Sequence, residues 1–169
     1  MLSLIIRLSG PIPAIGFLLS ITACATITGN DAGARTPGAI IDDELVERIA
    51  KSEIRQADTR LAAGNINVIS FNGIVLLTGQ VEDEALKARA KRAVERIRKA
   101  RRIQNEIRIG GQTSMVARAN DVLLTTKVKA RLIADEKANA DRIKVVTEDG
   151  TVFLMGMVSQ SEADAAVDA

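Results

Sequence analysis

Gly73-Ile74-Val75-Leu76-Leu77-Thr78-Gly79-Gln80-Val81 returns later in the chain as Gly150-Thr151-Val152-Phe153-Leu154-Met155-Gly156-Met157-Val158. In both places an apolar run lies upstream in the same register, Ile66-Asn67-Val68-Ile69 and then Ile143-Lys144-Val145-Val146. An internal repeat of this kind sets the architecture before any single element is assigned. Each copy reads as strand, polar turn, strand. The turns are Ser70-Phe71-Asn72-Gly73 and Glu148-Asp149-Gly150, and Asn-Gly and Asp-Gly supply the positive φ angles of a tight hairpin. Gly73, Gly79, Gly150 and Gly156 are therefore the structural glycines of the two turns and strands.

The flanks repeat as well. From Asp43-Glu44 to about Leu61, the residues Leu45, Ile49, Ile54, Ala57 and Leu61 fall on one side of a helix. From Asn120-Asp121 to Ala134, Leu124, Val128 and Leu132 do the same. Acidic or Asn residues at both starts fit helix caps, where free N–H groups and the helix dipole favour them. After the first hairpin, Glu82-Asp83-Glu84 predicts a cap, followed by a helix with inner face Leu86, Ala90, Val94 and Ile97. The alternating run Ile103 to Ile109 then predicts a closing strand, ended by Gly110-Gly111. The unit is α-β-β-α-β.

That order, with its Gly-x-Val-x-Leu-x-Gly-x-Val-like second strand, resembles the BON domain, a small bacterial module often found in tandem. The likeness extends over about residues 42–110 and 120–169. It rests mostly on Asn120-Asp121-Val122-Leu123-Leu124-Thr125-Thr126-Lys127-Val128-Lys129 and Asp149-Gly150-Thr151-Val152-Phe153-Leu154-Met155-Gly156. The chain as a whole resembles the outer-membrane lipoproteins that carry two such domains. The resemblance implies an α+β fold of tandem αββαβ domains, each a three-stranded mixed sheet with two helices on one face. It also implies a non-catalytic protein that binds anionic phospholipid and supports envelope integrity, at division or stress sites.

Arg7 precedes an apolar run, Ile12 to Ile21, that is too short for a bilayer, where about 20 residues are needed. Residues 1–23 read as a signal peptide. The run ends in Ile21-Thr22-Ala23-Cys24, which resembles the lipobox at which bacterial lipoproteins are acylated and cut. The alternative is an ordinary secretory leader with a stray cysteine. Cys24 is the one cysteine of the chain, so it is the expected lipidation site, and an internal disulfide is excluded. Ala25 follows it where Asp would resemble an inner-membrane retention signal. The expected location is thus the periplasmic face of the outer membrane, lipid-anchored. Residues 24–41 read as a flexible tether and 111–119 as a linker.

The chain has no His, Trp or Tyr. It lacks the usual general base near neutral pH and the commonest metal ligand, and no spacing suggests a metal site or a phosphate loop. No catalytic residue, cofactor, metal or small-molecule substrate is expected.

Net charge is only +2, but it is unevenly placed. Between Lys87 and Arg102 nine Lys/Arg stand against Glu95 alone, and Lys87, Lys91, Arg92, Arg98, Lys99 and Arg102 form a candidate basic patch. It is either a solvated helix face or a surface for anionic lipid, a partner protein or the acidic first helix. Nucleic acid is disfavoured, since no aromatic interleaves the basic residues.

The helix 120–134 carries more apolar residues than one core stripe requires. Val122, Leu123, Thr126, Lys127, Ala130 and Ile133, with Met115 before them, lie off that stripe. Such a face either packs on the first domain or lies in a lipid headgroup layer. The resemblance points to the lipid, although the family often has an aromatic near the place of Leu123. The outward strand residues Thr151, Phe153, Met155 and Met157 also need cover, for which Ile74 and Leu76 are the candidates. After Val158 only 11 residues remain, enough for a stub of helix from Ser161 to Ala169, so the second domain is expected to be incomplete. A rival reading is a periplasmic adaptor that docks on outer-membrane assembly proteins through the basic helix or a sheet edge. A third is a soluble periplasmic osmotic-stress protein.

Overall fold

The computed structural model describes residues 34–169. Cys24 and the leader lie outside them. The first helix, α1 (Pro37–Ala57), starts earlier than the sequence reading places it, inside the stretch read as tether. Its cap is Thr36, whose side chain accepts from Ala39 N, with Pro37 preset for the first turn. Asp58 then breaks the helix: its backbone is extended and its carboxylate caps the short α2 (Thr59–Ala63). The break turns Leu61 into the core, where it is 2 % exposed.

Two hairpin strands follow, β1 (Asn65–Phe71) and β2 (Ile74–Val81), paired antiparallel from Asn65–Gln80 to Phe71–Ile74. Ser70 and Phe71 thus belong to the strand, and the turn is Asn72-Gly73 alone, both with positive φ. The next helix, α3 (Glu84–Glu95), is capped by Asp83 as expected and buries Leu86, Ala90, Ala93 and Val94. Ile97 lies past its end, half-buried against the same core.

The closing strand is split into β3 (Arg102–Asn105) and β4 (Arg108–Ile109), which run parallel to β2 in a single lane. The gap at Glu106-Ile107 sits opposite Thr78-Gly79. Gly79 has φ +115°, and a Cβ there would lie 1.9 Å from the Asn65 carbonyl oxygen. The turned peptide at Gly79 lies beside this gap, yet burial still alternates along the lane from Ile103 to Arg108. Ile107 still reaches the core at 1 % exposure, while Ile109 is left in solvent. Gly79 and Gly156 therefore lie within or at the end of strands, whereas Gly73 and Gly150 make the turns.

The second repeat opens with α4 (Met115–Ala134), capped by Ser114 rather than by Asn120-Asp121, and so starts inside the stretch read as linker. A 3-10 turn (Ala140–Arg142) leads to β5 (Ile143–Glu148) and β6 (Thr151–Gly156), an antiparallel pair around Asp149-Gly150. The chain closes with α5 (Gln160–Asp168), which begins with a reciprocal cap between Ser159 and Glu162. Only two strands form this second sheet among the described residues.

Among the described residues both repeats lie in one compact unit. The face of the first sheet bearing Val68, Val75, Leu77 and Val81 packs on α1 and α3. Its other face is covered too: Leu76, Thr78 and Gln80 are at most 6 % exposed. The cover is the outward face of β5–β6. Glu148 accepts hydrogen bonds from Asn67 (2.8 Å) and Gln80 (3.0 Å), and Arg108 reaches Asp149 and Thr151. Lys144 pairs with Glu47 on α1. On this face Ile74 stays partly exposed while Leu76 is buried, and the hydrogen bonds across are made by Asn67 and Gln80. The layers are α1/α3, first sheet, second sheet, then α4 and α5 on the Val145–Leu154 side.

Candidate functional site

Each repeat holds its hairpin by the same device. Asp43 of α1 is 3 % exposed, and its two oxygens divide the turn between them. One accepts from Asn72 N (2.7 Å), the other from Gly73 N (2.9 Å) and the Ser70 hydroxyl (2.7 Å). In the second repeat Asp121 of α4 takes Asp149 N and Gly150 N on separate oxygens, both at 2.8 Å. The place of Asp43 and Asp121 near the helix starts predicts caps; instead they lie inside α1 and α4, whose caps are Thr36 and Ser114. Burial pushes the Asp43 carboxyl up, but hydrogen bonds from Gly73, Ser70, Asn72 and Arg35 outweigh it and hold the group below the ordinary range. A legible signal existed: Asp43 precedes Val46, Ala50 and Ile54 at the spacing by which Asp121 precedes Leu124, Val128 and Leu132. An acid on the inner stripe of a helix needs a buried donor, and the hairpin amides are that donor.

The clamp fixes which face of α4 turns outward. With Asp121, Leu124, Val128 and Leu132 turned toward β5–β6, the opposite face carries Met115, Val116, Val122, Leu123 and Ile133, all 59–84 % exposed. Ala119, Thr126 and Ala130 fill the same stripe and are also exposed. At about 100° per residue the stripe spans an arc of roughly 120°, with Arg118 and Lys129 on one margin and Lys127 on the other. The Thr126 hydroxyl donates back to the Val122 carbonyl at 2.9 Å, so its polar group is already satisfied within the helix. Val122, Leu123, Thr126, Lys127, Ala130 and Ile133 are thus brought together on one face, and that face does not pack on the first domain. Val116, Ala119 and Arg118 belong to it as well; they lie before Asn120, where sequence reading started the helix.

The basic patch is spread over three elements. Lys87, Lys91 and Arg92 lie on α3, Arg98 and Lys99 in the turn after it, and Arg102 at the start of β3. Acids take up part of its charge: Lys91 pairs with Glu95 and Lys99 with Asp42 of α1. Arg89, within the same run, pairs with Asp58 at 2.6 Å. Among the described residues Arg92, Arg98 and Arg102 make no ion pair. No group of acidic, Cys or His residues among the described ones is arranged to hold a metal ion, and no helix there is long and apolar enough to cross a membrane.

Comparison with known proteins agrees with this two-copy arrangement. The BON domain family matches residues 42–111 and again 120–169. The outer membrane lipoprotein DolP of Haemophilus influenzae is 36 % identical over 134 residues, covering 79 % of this chain and 69 % of the relative. The 21 kDa hemolysin of Actinobacillus pleuropneumoniae is 36 % identical over 135 residues, with the same coverage. Osmotically-inducible protein Y of Escherichia coli is 27 % identical over 139 residues, covering 80 % of this chain and 69 % of the relative. Two family matches on two copies of one fold, with relatives of this identity and coverage, assign the chain: it belongs to the BON domain family, as a two-copy member similar to the lipoprotein DolP.

Proposed function

We propose that this protein is a lipid-anchored component of the outer membrane's periplasmic face that lies on anionic phospholipid through α4 and supports envelope integrity without catalysing a reaction. The observation that carries the reading is the outer face of α4. Its apolar residues stand 59–84 % exposed, between margins of Lys and Arg, on a helix whose inner face is already buried. A monomeric surface seldom carries a contiguous apolar stripe of this kind without a partner, and the basic margins match the anionic headgroups of a bilayer. Leu at position 123 lacks the ring of an interfacial aromatic, so the stripe contributes apolar area without an interfacial hydrogen bond. Cys24 supplies the anchor and α4 the second contact. A single acyl chain holds a protein only marginally, whereas several chains plus an interfacial helix hold it stably. The name of the DolP relative as an outer membrane lipoprotein supports the location.

Vesicle flotation of a chain lacking Cys24 tests the proposal. Protein should rise with vesicles rich in phosphatidylglycerol or cardiolipin and stay behind with phosphatidylcholine alone. Absence of flotation with anionic vesicles at low salt would remove α4 as a lipid contact.

A further inference from the structure

The outer surface of the first repeat carries a second unpartnered apolar strip, on the opposite side of the molecule. Ile41, Leu45 and Ile49 line the outer face of α1 and are 66, 39 and 38 % exposed. Leu45 and Ile49, with Ile97 past the end of α3, floor a groove of about 350 Å³. Arg96, Arg98 and Lys99 form one rim, and Glu53 closes one end. Lys99 is paired with Asp42, but Arg96 and Arg98 make no ion pair among the described residues. The rim is therefore a net positive edge beside an apolar floor.

We infer that this groove docks a helical segment of a partner protein, one with an apolar stripe bordered by acidic residues. Charge complementarity selects the acidic border, because Arg96 and Arg98, two guanidinium groups in no ion pair among the described residues, stand together on one rim and outnumber the single carboxylate of Glu53. The shape suits a helix: Leu45 and Ile49 stand one turn apart on α1, a row against which a second helix can set its own row of side chains, with the turn after α3 as the other wall. The layer order argues against lipid as the occupant. The groove lies outside α1 and α3, and the α4 stripe lies outside the second sheet, so one flat bilayer cannot meet both. This last step rests on the α4 reading above, in which the groove then faces the aqueous side.

The test is made in solution without lipid, so that it stands or falls apart from α4. The chain lacking Cys24 is titrated into a fluorescein-labelled synthetic helical peptide of about 18 residues, with Leu along one face and Glu on both borders. Saturable binding is expected, weakened at least tenfold by Ile49→Glu. The surface double variant Arg96→Glu/Arg98→Glu should weaken it at least fivefold, more at low salt than at high, and Leu123→Glu should leave it unchanged. A control peptide with Lys in place of Glu should bind at least tenfold more weakly. No saturable binding up to millimolar peptide, equal binding of the Lys peptide, or loss with Leu123→Glu overturns the inference. So does quenching by brominated lipid of a fluorophore placed at position 49, which would make the groove a bilayer contact. A chain dimer that Ile49→Glu dissociates would make the occupant a second copy and overturn it equally.

Discussion

Replacing Asp43 by Asn tests the turn clamp without changing the size of the side chain. The two turn amides approach different oxygens, Asn72 N one and Gly73 N the other. A carboxylate accepts both, whereas a carboxamide offers one acceptor and turns its NH₂ toward the other amide. The variant therefore loses one charge-assisted hydrogen bond, about 1.5–3 kcal/mol, and weakens those from Ser70 and Arg35. With Asn72 and Gly73 half-buried, water replaces little of this, and the total is about 3 kcal/mol. At roughly 3–4 °C per kcal/mol for a unit of this size, the melting temperature should fall by about 10 °C. Asp121→Asn makes the same exchange at Asp149 and Gly150, which are exposed, so water takes up the freed amide and the cost falls to about 1 kcal/mol. The sign with pH follows from the depressed Asp43 carboxyl. Its contribution is fully present above the unfolded value near 4 and is lost as pH falls through the lower folded value; Asp43→Asn should remove that acid-limb slope. Urea denaturation followed by circular dichroism suits a chain without Trp or Tyr, and hydrogen exchange at the Asn72 and Gly73 amides localises the effect. A cost below about 1 kcal/mol for Asp43→Asn, or a larger cost for Asp121→Asn, would refute the reasoning.

Leu123→Glu removes an apolar contact of which more than half remains to be buried, about 1.5 kcal/mol at 25 cal/mol per Å², and adds repulsion from anionic lipid. Binding to anionic vesicles should fall at least tenfold with the melting temperature unchanged; a marked drop in melting temperature would place Leu123 in a packing role. Charge reversal at Lys91, Arg92 and Arg98 should weaken association with anionic vesicles at low salt and lose its effect as ionic strength rises past about 0.1 M, where screening acts within ~10 Å. Indifference at low salt would leave that run a solvated surface. Gly79→Ala forces a Cβ against the Asn65 carbonyl and a side chain into φ +115°, and should cost about 3 kcal/mol or more in urea denaturation; a near-neutral result would mean the two strands can part there. Cys24→Ala should release the chain from the outer membrane into the soluble fraction after a high-salt wash, and quantitative retention would show another anchor.

What sequence alone reveals here divides along a physical line. Hairpins are local: Asn72-Gly73 and Asp149-Gly150 dictate their turns through backbone sterics, so the repeat and the α-β-β-α-β order are legible without tertiary knowledge. The inner face of α1 is not local. Leu45 and Ile49 form as good an apolar row as Val46, Ala50 and Ile54, and the periodicity of the helix cannot choose between rows one residue apart. Sequence reading took the row of Leu45 and Ile49; the fold buries Val46 and Ala50 at 0–1 % exposure and leaves the other row outside. Asp43 decides the matter, since only with its carboxylate over the Asn72-Gly73 turn are the two amides and Ser70 satisfied, and that orientation carries Val46, three residues on, into the core. In α4 the same geometry leaves no such ambiguity. The inner row there is Leu124, Val128 and Leu132, with no equally strong neighbour, so the core was legible and the surplus on Val122, Leu123 and Ile133 stood out. A buried acid thus sets the rotation of both helices, and in doing so determines which apolar residues are left over for a surface to use.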